Sequence, residues 1–152
     1  MYSAAARLCL QKYGSRSLVA DEGGLTPAFP STTAMLEDAI EAIENTGLSP
    51  GRDMVLAVAV ASSHFHTAEG YGLDGRNLTS DPMTDQLEAW LGSFPIISFI
   101  DGLVEDDWKS WPQLRQRLGG KARIMGMIFS AQIRNESDER SVTTQQMLCS
   151  SK

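Results

Sequence analysis

With 152 residues, 13 of them basic and 19 acidic, the chain has a formal charge of −6 and room for one domain or part of a larger one. The acidic balance argues against a nucleic-acid binder, because phosphates need a basic face. No apolar run approaches the roughly 18 residues of a membrane helix, and the 42% hydrophobic content excludes a chain disordered throughout.

The opening segment, MYSAAARLCLQKYG, has neither a long apolar core nor a cleavage pattern, so no secretory leader is expected. Cys9 and Cys149 have no metal spacing and make no disulfide framework, so the cytoplasm is the expected compartment. Residues 4–13 are Ala-rich and read as a helix that Gly14 stops. A short strand, Ser17–Val19, leads into the turn Asp21-Glu22-Gly23-Gly24. Leu36, Ala39, Ile40 and Ile43 then form one apolar helical stripe, with Glu37, Asp38, Glu41 and Glu44 opposite and Gly47 as the stop. Met54–Ser63 is a continuous apolar run and reads as a strand buried on both faces. Ser80-Asp81-Pro82 starts a helix whose stripe is Met83, Leu87, Trp90, Leu91 and Phe94. Pro95–Ile100 is a second buried strand, 107–118 a further amphipathic helix before Gly119-Gly120, and Arg123–Phe129 the last strand. Residues 127–152 contain eleven Ser, Thr, Asn or Gln and show no period after Ile133, which reads as a disordered polar tail.

Strands separated by single helices imply parallel crossovers. The expected fold is therefore α/β with parallel strands, of which the (β/α)8 TIM-type barrel is one form. A whole barrel takes roughly 250 residues, so residues 1–126 supply about half of one. In such a barrel the chemistry sits at the C-terminal ends of strands. Two acidic loops qualify: Asp21-Glu22, and Asp101 with Glu105, Asp106 and Asp107. Taken alone, acidic loops of this kind read first as solvated turns and helix caps. His64 and His66 would share a face if the strand continued through them, which makes a two-histidine metal site geometrically possible. With no third ligand evident, surface or packing roles are favoured for both. Trp90, Trp108 and Trp111 lie at core spacing and read as packing residues, and Cys9 as an inert small hydrophobe.

Three stretches converge on one family. Val19-Ala20-Asp21-Glu22-Gly23-Gly24-Leu25-Thr26-Pro27 resembles the V-G-D-E-G-G-F-A-P signature of enolase, the phosphopyruvate hydratase of glycolysis. MVLAVAVASSHF at 54–65 resembles I-A-L-A-L-D-V-A-A-S-E-F, and PIISFIDGLVEDDW at 95–108 resembles P-I-I-S-I-E-D-G-L-A-E-D-D-W. The similarity is colinear from about residue 5 to 126. It implies a lyase ancestry: reversible dehydration of the small phosphorylated substrate 2-phosphoglycerate, with a lysine base and two magnesium ions that stabilise the enolate. It also implies a cytoplasmic homodimer.

Carried over by motif, Glu22 takes the general-acid position. The ligand positions read differently. The aspartate of L-D-V-A corresponds to Ala59, and the glutamate of S-I-E-D-G to Ile100. The motif G-D-D-L, expected after Ile124-Met125-Gly126, is replaced by Met127-Ile128-Phe129. Neither alanine nor isoleucine binds magnesium, so no magnesium is expected here. Glu22 and Asp101 then read either as working groups or as relics. The tail also fits a shifted reading frame. From Ile133 onward, permitted codons read from their third base yield N-P-E-R-I-G-R-A-I-S-D-N-A-A-N-A-V-L-V-K. That resembles the enolase continuation ending at its catalytic lysine, so Lys152 says nothing of a retained base. The domain expectation is a partial enolase C-terminal barrel over 1–126 and an out-of-frame tail over 127–152, inactive as written. The alternatives are a non-catalytic interaction module, or a different barrel enzyme built on His64 and His66.

Overall fold

The computed structural model describes residues 1–14 and 24–126. The expected strand Ser17–Val19, the residues Asp21 and Glu22, and the tail from Met127 lie outside the described residues.

Helix α1 (Tyr2–Tyr13) ends at Gly14, whose φ of 64° is the left-handed stop the sequence suggests. Helix α2 (Thr32–Glu44) starts where the Ser31 side chain accepts from the Ala34 N–H at 3.1 Å. Of its expected stripe, Leu36 and Ile43 are buried and Ala39 and Ile40 half-buried, and Ala42 is buried beside them. The opposite face is not wholly solvated as expected. Asp38 is buried against α1, where Lys12 Nζ at 2.6 Å and the Tyr13 hydroxyl at 2.5 Å both donate to it. A buried carboxylate needs such partners, and α1 brings them.

The apolar run from Met54 yields a shorter strand than expected, β1 (Leu56–Ala59). Its burial also differs. Leu56 and Val58 pack towards the core, while Val55, Ala57 and Ala59 are exposed. The run alternates branched residues with alanines, so it carries a one-sided pattern that a hydrophobicity count hides. At Ala61 φ is 51°, and a 3-10 turn follows over Ser62–His64.

A small antiparallel sheet then intervenes where a single helical crossover was expected. It comprises β2 (His66–Thr67), β3 (Gly70–Leu73) and β4 (Arg76–Leu78). The β3–β4 turn is Asp74-Gly75, with φ of 49° and 74°. Positive φ at both central residues is what a type I′ hairpin turn requires, and Asp-Gly suits it. The Asp74 carboxylate also accepts from the Thr32 N–H and hydroxyl, both at 2.9 Å, tying the turn to the start of α2.

Helix α3 (Ser80–Ser93), strand β5 (Ile96–Ile100), helix α4 (Trp111–Leu118) and strand β6 (Arg123–Met125) complete the described chain. The last helix starts later than expected. Asp107 instead shapes the turn before it, accepting from the Ser110 N–H at 3.2 Å. The large sheet has the order β1-β5-β6, all parallel. Within this sheet each strand lies beside the next parallel strand in chain order, which is barrel order; a doubly wound sheet would reverse. Among the described residues the sheet is open, with β1 and β6 as its edges. Its covered face joins α3 and α4 in the core, where Phe99, Met83, Leu87, Leu114 and Leu118 are fully buried. Each such side chain stabilises the fold by about 1.5–3 kcal/mol.

Candidate active site

The strand register brings three residues together at the C-terminal end of the sheet. Ala59 of β1 is the partner of Ile100 of β5, and Ile100 is the partner of Met125 of β6. Partners in a parallel ladder point to the same face. Ala59, Ile100 and Met125 therefore form an apolar floor on the side away from the helices. Ala59 is exposed, and the other two are half-buried.

The ladder continues beyond the strands and holds the loops above this floor. Val60 N–H donates to Ile100 O at 2.8 Å, Asp101 N–H to Met125 O at 2.8 Å, and Ser62 N–H to Asp101 O at 3.1 Å. Two of these loop residues adopt left-handed backbone without being glycine: Ala61 at φ 51° and Asp101 at φ 52°. Such a conformation costs about 1–2 kcal/mol per residue, which the flanking ladder bonds and packing must offset. Ser62 is fully buried, and its hydroxyl has no hydrogen-bond partner among the described residues. The neighbouring Ser63 hydroxyl donates to Glu105 at 3.3 Å.

The loop from Gly102 to Asp107 is fastened from two sides. Val104 N–H donates to the buried Tyr71 hydroxyl at 3.1 Å, and Trp111 Nε1 donates to Val104 O at 2.9 Å. Burial, more than any charge, pushes the Tyr71 phenol above its ordinary range. Ser80 Oγ donates to Asp107 at 2.5 Å, which ties that carboxylate to the start of α3.

The remaining candidates divide clearly. His64 ends the 3-10 turn and His66 lies in β2, its ring centroid 4.6 Å from that of Tyr71. The strand stops before both, so the premise that they alternate along one strand fails. Among the described residues, no three of His, Cys, Asp or Glu are gathered where they could hold a metal ion. Trp90 and Trp111 are core residues, whereas Trp108, expected among them, is 55% exposed and lies outside the buried core. Cys9 is buried, and desolvation, the largest cause, raises its thiol pKa. That fits an inert role. Sequence reasoning missed Tyr71, which anchors the loop beside the floor. The Asp74-Gly75 turn signal, flanked by Tyr71-Gly72-Leu73 and Arg76-Asn77-Leu78, was the clue to its strand.

Neighbouring parallel strands linked through helices, with loops gathered over their C-terminal ends, define part of a TIM-type barrel. The family model of the enolase C-terminal TIM barrel domain matches residues 1–140. The chain belongs to that family, and its described part is an incomplete barrel rather than a closed one.

Proposed function

We propose that this chain descends from a phosphopyruvate hydratase barrel and, as it stands, does not interconvert 2-phosphoglycerate and phosphoenolpyruvate. One observation carries the reading: the pair Ala59 and Ile100, adjacent across β1 and β5 at the end of the sheet where barrel chemistry sits. By motif these are two of the family's metal-ligand positions. Magnesium takes oxygen ligands in near-octahedral geometry, and these side chains offer hydrocarbon only. The residues do not fit the ion. Without it, the enolate charge lacks its main electrostatic stabilisation. Glu22, at the general-acid position by motif, is then a relic.

The same reading assigns Met127 and the following residues to a shifted frame that replaces the third ligand motif. The ancestral setting it carries is a cytoplasmic homodimer acting on a small phosphorylated substrate. The test is a coupled absorbance assay of purified chain with excess magnesium and 2-phosphoglycerate, run beside a mock purification. No turnover above the mock is expected. Magnesium-dependent turnover that co-elutes with the chain would overturn the reading.

A further inference from the structure

We draw no further inference here: the strongest candidate, the apolar cavity of about 310 Å³ between β1, the start of α2 and the β3–β4 turn, lined by Val58, Phe65, Leu73, Met35 and Trp90, is one for which nothing in the structure shows what occupies or covers it.

Discussion

Restoring carboxylates at the paired strand ends would test both the register and the proposed loss of metal binding. The perturbation is Ala59→Asp with Ile100→Glu, compared with Ala59→Asn with Ile100→Gln. The two positions are direct ladder partners, and adjacent strands lie about 4.8 Å apart. Two carboxylates about 5 Å apart repel by about 0.8 kcal/mol at the dielectric constant of water and about 3 kcal/mol at an effective value of 20. Ala59 is exposed and Ile100 half-buried, so the cost falls between these limits, at about 1–2 kcal/mol. For a chain of this size that is a drop in Tm of about 2–8 °C. The amide pair has the same shape and loses the same Ile100 packing, so the difference between the variants isolates the charge. Two carboxylates with several waters also form a weak magnesium site. If its Kd is about 1 mM, 10 mM magnesium returns about 1.4 kcal/mol by mass action. Scanning calorimetry with and without magnesium reads both effects. Equal melting of the acid and amide variants, or an equal magnesium response, would refute the reasoning.

Gly70→Ala should unfold the small sheet at lower denaturant. Gly70 has φ 111°, and a Cβ there would lie 2.4 Å from the Leu78 carbonyl oxygen. A loss of about 2 kcal/mol or more is expected in urea. Gly92→Ala in α3, where a Cβ meets nothing within 4 Å, should instead gain about 0.5–1 kcal/mol; equal stability of the two variants would contradict the hairpin geometry. Tyr71→Phe keeps the ring but strands the Val104 N–H, at a cost of about 1–3 kcal/mol by the same measurement; a change of only a few tenths would show that the loop is held otherwise. The nucleotide sequence around codons 124–136 should read G-D-D and then T-N-P-E-R-I in the other frame. Unrelated sequence or early stops there would remove the frameshift reading.

Long elements with one dominant pattern were legible in the sequence. The Leu36-to-Ile43 stripe, the Ser80-Asp81-Pro82 helix start and the Gly14 stop all appear where their residue types require. The failures share a cause: several signals were compressed into few residues. The expected strand runs past β1 because apolar character continues to Ala61, whereas the backbone turns where Ala61 goes left-handed. The strands β2 to β4 are two to four residues long, too short for periodicity to register. Only the Asp74-Gly75 turn chemistry announced them. The burial of Asp38 was invisible because helical spacing puts it with Glu37 and Glu41, while its partners Lys12 and Tyr13 lie far back in the chain. The candidate site was the least legible from local chemistry. Ala59 and Ile100 carry no reactive group, and only motif alignment gives those positions a meaning.

Stability and catalysis make opposite demands at this pair of positions. On the proposed reading the ancestral strand ends held two acids side by side, a like-charge pair that only a bound cation relieves. Alanine and isoleucine remove that repulsion outright, so the fold has no need of metal at this point. The backbone at these strand ends depends on other groups. Its ladder bonds run from Val60, Ser62 and Asp101 to main-chain oxygens, and its loop is pinned by Tyr71 and Trp111. None of these requires a carboxylate at 59 or 100. A family framework can therefore outlast the family's chemistry, because packing of Phe99, Leu87 and Leu114 maintains the strands whatever their ends carry. Membership of the enolase barrel family and the proposed loss of its reaction are thus compatible, the first resting on the family match over residues 1–140 and the proposal on two side chains.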